Sequence, residues 1–192
     1  QNWDGATKTT MSYGYGLNVT PLQIATAYSA LANGGKLIAP TFVKGQRNEA
    51  HQIIDENVAR QVVAMMETVV TQGGAKQAAV LGYRVAGKTG TARKTGPGGY
   101  ERGHYNALFA GVVPATNPRF ATVIVINDPQ AGKFYGGLVS APVYHNVMEG
   151  TLRLMDVPLD DLQSWLAAQQ SGKVGHSASI LPAPPAETAL PV

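Results

Sequence analysis

The sequence predicts an α+β fold in which helices cover an antiparallel sheet. Two helical patterns come early in the chain, three strand-like segments follow at 83–93, 105–113 and 120–127, and a long helical pattern comes after them. The links between the strand segments are short, which implies antiparallel neighbours. The last two segments are apolar on both faces, which predicts helices on both sides of the sheet.

Helix start and stop signals support the helical part of this prediction. Thr20 and Gln23 form a T-x-x-Q capping box, Pro21 occupies the first helical position, and a glycine pair ends that helix. Asp55 opens the second helix, and the third runs from about residue 138 to 155. Apolar residues three and four apart predict the buried faces, which are Ile24, Ala27, Tyr28 and Leu31 in the first helix, Val58, Val62, Met65, Met66 and Val69 in the second, and Val143, Val147, Thr151 and Leu154 in the third.

Several segments around these elements carry other signals. Residues 1–19 are polar and then glycine-rich, which predicts a loop, and residues 95–103 predict a glycine-rich connection between the first two strands of the sheet. Residues 36–44 are rich in apolar and β-branched side chains and predict a short strand. The domain is expected to span residues 1–165, and the Pro/Ala-rich residues 166–192 are expected to be a disordered tail.

Composition excludes several classes of function. The formal net charge of +3 is scattered without a run of basic residues, so nucleic acid is not an expected partner. The chain contains no cysteine, which excludes a disulfide, a zinc-thiolate site and a thiol nucleophile. No apolar run approaches the ~18 residues that span a bilayer. What remains is a globular domain without thiol chemistry.

One motif matches a phosphate-binding loop in its letters. Residues 82–89 read G-x-x-x-x-G-K-T, the pattern of the nucleotide-binding P-loop. Such a loop follows a buried strand, and its Lys-Thr opens a helix whose first amides face the phosphates. Here the preceding segment is helical, and the residues after Thr89 lead into a glycine- and proline-rich connection. The sequence therefore favours an extended strand over a nucleotide site.

The same residues suit another chemistry if they lie on an edge strand. We expect Lys88 and the hydroxyls of Thr89 and Thr91 to project to one side of the pleat, where a cation beside two hydroxyls is a receptor for a carboxylate or an amide-bearing ligand. Gly90 lacks a side chain, so a substrate backbone can approach and pair as an added strand. The Thr91 amide is then placed to act as an oxyanion donor in acyl transfer. The alternative is an ordinary strand with a surface lysine.

Short motifs lie in a fixed order along the chain. They are Ser12-Tyr13-Gly14-Tyr15-Gly16-Leu17, Val19-Thr20-Pro21-Leu22-Gln23, Lys88-Thr89-Gly90-Thr91-Ala92, Leu108-Phe109-Ala110-Gly111, Ile126-Asn127-Asp128-Pro129, Tyr135-Gly136-Gly137 and Ser140-Ala141-Pro142-Val143. From about Ser12 to Asp161 the chain thereby resembles class B penicillin-binding proteins, particularly the division-specific (septal) penicillin-binding protein 3 type of Gram-negative bacteria. Several motifs in the right order are more specific than any one of them.

The resemblance implies a serine β-lactamase/transpeptidase-like fold and the cross-linking of peptidoglycan. In such enzymes a serine attacks the D-Ala-D-Ala end of a stem peptide, D-Ala leaves, and an amine of a neighbouring stem resolves the acyl-enzyme, whereas β-lactams trap the serine. The family uses the motifs S-x-x-K, S-x-N and K-[ST]-G, and this chain contains only the third. We therefore expect the other two motifs and a membrane anchor upstream of Gln1, and no activity from this chain alone.

Site residues and partners follow from the same resemblance. The substrate-side wall is expected to be Lys88, Thr89, Gly90 and Thr91. Arg93 is expected to add positive charge for a ligand carboxylate. Aromatic groups are expected near the site, with ordinary packing as the alternative, at Tyr105, Phe134 and Tyr135. The implied partners are stem peptides ending in D-Ala-D-Ala, β-lactam antibiotics and divisome membrane proteins including a septal glycosyltransferase, at the periplasmic face of the inner membrane.

Histidines offer weaker candidates. His145 and Glu149 lie four apart on a helix, but two ligands without a third are typical of a solvated helix face, so no metal is expected. His51, His104 and His176 fall in loops or the tail with no Ser/Asp arrangement around them. Neither a histidine-based triad nor a cofactor is therefore expected.

Two rival functions stay open. One is a D-Ala-D-Ala carboxypeptidase or β-lactamase of the same fold, in which water resolves the acyl-enzyme. The other is a non-catalytic, penicillin-binding-like scaffold. An intact upstream S-x-x-K distinguishes an enzyme from a scaffold, because only the enzyme needs the serine.

Overall fold

Helices pack against an antiparallel sheet in the computed structural model, which describes residues 5–12, 14, 16–97, 99–130 and 132–171. The predicted α+β class is confirmed. In chain order the elements are α1 (Gly5–Met11), α2 (Pro21–Ala32), β1 (Lys36–Ile38), β2 (Ala50–Gln52), α3 (Glu56–Thr71), a 3-10 helix (Lys76–Ala78), β3 (Ala86–Gly96), β4 (Gly99–Val113), β5 (Phe120–Asn127), α4 (Gly136–Leu154) and α5 (Leu162–Gln170). Within the described residues no helix has the length and apolar character to cross a membrane.

The main sheet consists of β3, β4 and β5 in that order, so each strand pairs with its neighbour along the chain. β3 and β4 stay paired almost to their connecting turn, where Gly96 stands opposite Gly99, with a register shift between Arg93 and Thr95. The prediction of a loop over residues 95–103 was therefore wrong. Glycine is depleted in strands, so composition alone did not indicate that these residues extend the hairpin.

Different helices cover the two faces of this sheet. Phe109 of β4 packs edge-on against Tyr144 of α4, with ring centroids 4.7 Å apart. Val112 points to the opposite face, because side chains alternate along a strand, and lies in a cluster with Val63 and Met66 of α3. Residues of α2 pack against the same cluster. The prediction of helices on both sides of the sheet is confirmed.

The predicted starts of α2 and α3 are confirmed by two hydrogen bonds each. The Gln23 amide donates to the Thr20 hydroxyl at 3.2 Å, and the Thr20 amide donates to the Gln23 side-chain oxygen at 2.8 Å. Asp55 caps α3 by accepting from the amides of Asn57 and Val58. These oxygens satisfy N–H groups that have no partner inside a helix.

The buried faces of the helices differ from those predicted. The helix residues that the structure buries are Ala30 in α2, Ala59, Val63, Met66 and Val70 in α3, and Gly136, Gly137, Ser140, Ala141, Tyr144, Met148 and Leu152 in α4. The expected core residues Met65 and Leu154 are instead 61% and 83% exposed. Adjacent valines such as Val62 and Val63 fit two neighbouring stripes equally well. Periodicity therefore identified the helices but not which side of each helix faces the sheet.

Three elements besides the 3-10 helix have no counterpart in the sequence prediction. α1 lies within residues 1–19, β2 pairs with β1 as a separate two-stranded sheet, and α5 crosses the boundary drawn between 165 and 166. β1 is also shorter than the strand expected over 36–44. All three elements are short, which leaves little room for a hydrophobic period. In addition, α5 buries none of its residues, so it has no buried apolar face. Residues 172–192 of the expected tail lie outside the described residues.

Asp160 connects the chain after α4 to the sheet. Its carboxylate accepts from the Arg84 amide at 2.7 Å and from the Thr116 hydroxyl at 2.8 Å. Nearby, the Tyr83 hydroxyl donates to the Val157 carbonyl at 2.6 Å. These contacts hold the segment before α5 against the start of β3 and the link between β4 and β5.

Candidate active site

Residues 88–91 lie in the first half of β3, at an edge of the sheet. Among the described residues β3 pairs with β4 on one side and has no strand on the other. An edge strand offers unpaired backbone N–H and C=O groups to an extended ligand. This placement agrees with the edge strand expected from the sequence.

The side chains expected on one side of this strand are divided between its two faces. Thr89 stands opposite Phe109 of β4, on the face that α4 covers, and Thr91 follows on the same face. Lys88 stands opposite Ala110 and leaves the strand on the other face. The expectation of one shared side was wrong, because consecutive residues of a strand alternate between faces.

Lys88 keeps its side chain close to the strand nevertheless. Its side chain is exposed, and Nζ donates to the carbonyl of Thr89 at 2.9 Å, so the long side chain folds back along the backbone. None of the ion pairs in the described part of the chain involves Lys88. Its ammonium is therefore available to an anionic group that approaches β3.

The Thr91 hydroxyl is joined to the start of α4. Its Oγ1 accepts from the Gly136 amide at 3.2 Å. Gly136 is the first residue of α4, and Tyr135 before it supplies no side-chain cap, so Thr91 provides an acceptor from outside the helix. The hydroxyl retains its own hydrogen, which it can donate to a ligand. Thr91 thus combines a structural contact with a hydroxyl hydrogen that is available to a ligand.

Glycines let α4 approach the sheet this closely. A Cβ at Gly136 would collide with the backbone oxygens of Gly90 and Leu108, and a Cβ at Gly137 would collide with the Gly74 carbonyl. A Cβ at Gly90 would lie 2.8 Å from the Leu108 side chain. We expected the missing side chain of Gly90 to admit a ligand, but Leu108 of the neighbouring strand occupies that space.

One aromatic group lies near Thr89 and Thr91, and it consists of Tyr105, Phe134 and Tyr135. The rings of Tyr105 and Phe134 are stacked, with centroids 4.2 Å apart and planes at 10°. Phe134 also contacts Tyr135, with centroids 4.5 Å apart, and Tyr135 remains 58% exposed. Arg93, which is exposed, stands opposite Tyr105 and shares the face of the two threonines. The aromatic side chains therefore pack on one another at the surface and outside the core.

Neither the P-loop letters nor the helical His–Glu pair builds the site that they suggest. Lys88 and Thr89 lie inside β3, so they open no helix and have no cradle of helical amides. His145 donates through Nδ1 to the Ala79 carbonyl, and its Nε2 lies 3.9 Å from Glu149. Over the described ranges, no three potential ligands gather into a metal site.

A histidine–aspartate pair lies beside Tyr105. The Nδ1 of His104 is 3.0 and 2.9 Å from the two carboxylate oxygens of Asp128. The Asp128 amide donates to the Tyr105 carbonyl at 2.8 Å. The hydrogen bond with His104 lowers the pKa of the Asp128 carboxyl, desolvation opposes this, and the charges of His104 and Lys94 reinforce it.

The sequence carried little signal for this pair. We expected His104 in a loop without an acidic partner, but it lies in β4 and pairs with a residue 24 positions away. Only the register that places Asn106 opposite Asn127 brings the two together, and that register depends on the turn between the strands. Of the other histidines, His51 lies in β2, and His176 lies outside the described residues.

A cleft of about 630 Å³ lies away from this site. It is bounded by α3, residues 79–85, α4 and α5, and none of the predicted site residues lines it. Two of its charged residues, Arg84 and Glu67, bind each other through two hydrogen bonds of 2.8 and 3.0 Å, which raise the pKa of the Arg84 guanidinium. These two groups already satisfy one another, so the cleft offers little unpaired chemistry.

Comparison with known proteins places the chain in a family. Residues 1–149 match the family model described as the penicillin binding protein transpeptidase domain. The peptidoglycan D,D-transpeptidase FtsI of Escherichia coli (strain K12) is 48% identical over 191 residues, which cover 92% of this chain and 31% of that relative. The probable peptidoglycan D,D-transpeptidase PbpC of Pseudomonas aeruginosa is 40% identical over 165 residues, which cover 85% of this chain and 29% of that relative.

A solved structure agrees with the sequence match. The apo structure of the TP domain from Burkholderia pseudomallei penicillin-binding protein 3 superposes with a TM-score of 0.75 at 40% identity, covering 83% of this chain and 49% of that one. The chain thus spans about a third of its curated relatives and about half of the solved domain. The matches in sequence and in fold lead to one conclusion: the chain belongs to the family of penicillin-binding protein transpeptidase domains.

Proposed function

We propose that this chain supplies the K-T-G wall of a peptidoglycan D,D-transpeptidase that cross-links stem peptides during septal cell-wall synthesis. The observation that carries the proposal is the position of residues 88–91 on an edge strand, next to the start of α4 and the aromatic group. The family supports the same chemistry, since relatives at 48% and 40% identity are named as D,D-transpeptidases.

The open edge of β3 orients the donor peptide in this proposal. An extended stem peptide pairs with the backbone of the strand, as peptides do on other exposed edges. The Lys88 ammonium and the Thr89 hydroxyl then contact the terminal carboxylate, because charge-assisted hydrogen bonds are the stronger ones. Together these contacts hold the D-Ala-D-Ala bond against the serine of the family's S-x-x-K motif, which this chain does not contain.

The chemistry proceeds through an acyl-serine. The serine oxygen bonds to the carbonyl carbon, the C–N bond to the terminal D-Ala breaks, and the proton from the serine is transferred to the leaving amine. The Thr91 amide donates to the carbonyl oxygen as negative charge develops on it. An amine of a neighbouring stem then attacks the acyl carbon and releases the serine. A β-lactam enters the first step only, so it traps the enzyme.

The proposal includes the partners and the place of action. The substrate is a stem peptide ending in D-Ala-D-Ala, and β-lactams are inhibitors. The enzyme acts at the periplasmic face of the inner membrane, held by an N-terminal anchor, alongside divisome membrane proteins that include a septal glycosyltransferase. The support for this part is the likeness to the septal type, with FtsI of Escherichia coli at 48% identity.

The test is acylation of the complete enzyme by a fluorescent penicillin, with Lys88→Ala and Thr89→Val as variants. Each removes a ligand contact worth about 1.5–3 kcal/mol for a charged partner. The second-order acylation rate is expected to fall about 10- to 150-fold where the contact is made in the transition state. Neither side chain is buried, so thermal unfolding should stay near that of the wild type.

Matched controls separate this role from general damage. Thr89→Ser keeps the hydroxyl and should retain most of the rate, and the exposed-site variants Lys44→Ala and Thr95→Val should behave as wild type. Nucleotide binding is followed by calorimetry in parallel. Wild-type acylation rates in both test variants, or tight nucleotide binding that these variants abolish, contradict the proposal.

A further inference from the structure

Asp128 makes two connections to β4 at the point where the chain leaves the sheet. Its carboxylate binds the His104 imidazole, and its amide donates to the carbonyl of the next residue, Tyr105, at 2.8 Å. One contact is made by the side chain and the other by the backbone. Asp128 is therefore held against two consecutive residues of the strand.

The backbone of Asp128 also adopts an uncommon conformation. Its φ of 53° lies in the left-handed region, which residues with a side chain rarely occupy, although Asp tolerates it better than most. The Gln130 side chain donates to the Asp128 carbonyl at 2.9 Å. The contacts to His104 and Tyr105 thus hold a local conformation that sets the direction of the chain leaving β5.

The direction of the chain after Asp128 affects both parts of the aromatic group, Tyr105 on β4 and the Phe134–Tyr135 pair before α4. The loop that begins at Asp128 leads to Phe134 and Tyr135, and the Phe134 ring returns to stack on Tyr105. Tyr135 is followed by Gly136, whose amide donates to the hydroxyl oxygen of Thr91 in β3. A shift at Asp128 would therefore move the Tyr105 carbonyl and the loop that supplies the second ring of the stack.

We propose that His104 and Asp128 are positioning residues for ligand binding, which fix Tyr105 and the loop bearing Phe134 and Tyr135 in the arrangement that contacts the ligand. The proposal rests on the proposed function above, and neither residue contacts the reacting atoms. Their role is to hold the aromatic group, so their loss should weaken ligand binding and leave the bond-forming step unchanged.

The charge of the Asp128 carboxylate is consistent with this role at neutral pH. The groups that act on the Asp128 carboxylate are His104 of β4 and Lys94 of β3, and the hydrogen bond with His104 lowers its pKa. A carboxyl whose pKa is lowered by folding contributes stability above its unfolded pKa and loses it as the pH falls through the folded pKa. The carboxylate therefore remains ionised and able to bind His104 near neutral pH.

The test separates binding from acylation in the complete enzyme. Stopped-flow fluorescence with a fluorescent penicillin gives the dissociation constant of the non-covalent complex and the first-order acylation rate. His104→Ala is expected to raise the dissociation constant about two- to fivefold, the range of partly exposed ion pairs, without changing the acylation rate. His104→Lys presents a hydrogen-bond donor to Asp128 again and should restore binding. His51→Ala, an exposed histidine on β2, is the matched control.

A double-variant cycle tests whether the pair acts through the aromatic group. If it does, His104→Ala has no further effect in a Tyr105→Ala background, because residues that act through one another are not additive. Additive losses, or wild-type binding by His104→Ala, overturn the proposal. Where circular dichroism shows that His104→Ala does not fold, His104→Gln takes its place in the cycle. A wild-type enzyme that forms no acyl adduct would instead overturn the proposed function.

Discussion

The hydrogen bond between Thr91 and Gly136 provides a quantitative test of how α4 is attached to the sheet. Thr91→Val keeps the volume and β-branching of the side chain and removes the oxygen that accepts from the Gly136 amide at 3.2 Å. Gly136 is buried, and Tyr135 supplies no side-chain cap. The amide therefore loses its acceptor in a place that water does not reach.

The magnitude follows from two comparable losses. Removal of an N-cap acceptor costs about 0.5–2 kcal/mol, and a buried amide left unpaired costs about 1–3 kcal/mol. A bond of 3.2 Å is at the long end of the usual range, so we expect a loss of about 1–2 kcal/mol in the free energy of unfolding. Urea unfolding of the complete transpeptidase domain measures it, with an unchanged slope against urea as the sign that only stability changed.

Thr91→Ser is the matched control, because it retains the oxygen. It should keep more than half of the stability that Thr91→Val loses. Equal stability of Thr91→Val and the wild type would refute the proposed attachment, since the Gly136 amide would then have another acceptor. An equal loss in both variants would also contradict the attachment, because Thr91→Ser retains the oxygen that accepts from the Gly136 amide.

Two further predictions concern a buried hydroxyl and a partly exposed carboxylate. The buried Tyr144 hydroxyl has no hydrogen-bond partner among the described residues, and burial raises the pKa of Tyr144, so Tyr144→Phe should match the wild type or exceed it by up to about 1 kcal/mol, while Tyr144→Ala should lose about 3–5 kcal/mol. A clear loss in Tyr144→Phe by urea unfolding would reveal a partner for the hydroxyl. Asp160→Ala removes the acceptor of the Arg84 amide and the Thr116 hydroxyl and should cost about 1–3 kcal/mol by the same measurement. A change no larger than that of the exposed control Glu49→Ala would contradict this.

The elements that local chemistry determines were predictable from the sequence. The capping box of Thr20 and Gln23 and the Asp55 cap involve residues within three positions of each other, so their bonds form wherever the helix begins. β5 was predicted with its observed bounds, Phe120–Asn127, because its apolar and β-branched run is continuous. What local chemistry does not determine is which side of a helix meets the sheet. Met66 is buried and its neighbour Met65 is exposed only because of how α3 lies on the strands.

The candidate site shows the same division. The motif letters at residues 88–91 indicated an edge strand with a cation and two hydroxyls, and the alternation of a strand then separates Lys88 from the two threonines. The pairing of His104 with Asp128 depends on the β4–β5 register, and the space beside Gly90 depends on the rotamer of Leu108. Contacts between strands and helices therefore decide what each motif residue touches.

Thr91 illustrates why a motif residue need not have one role. Its oxygen accepts from the first amide of α4, while its hydrogen remains available to a ligand at the edge of β3. Polarisation along connected hydrogen bonds strengthens each of them, so an amide that donates to this oxygen makes the hydroxyl a better donor. A carboxylate at the edge of β3 would thus be bound by a hydroxyl that also anchors α4. Ligand binding and helix attachment would then share one atom, and Thr91→Val should weaken both together.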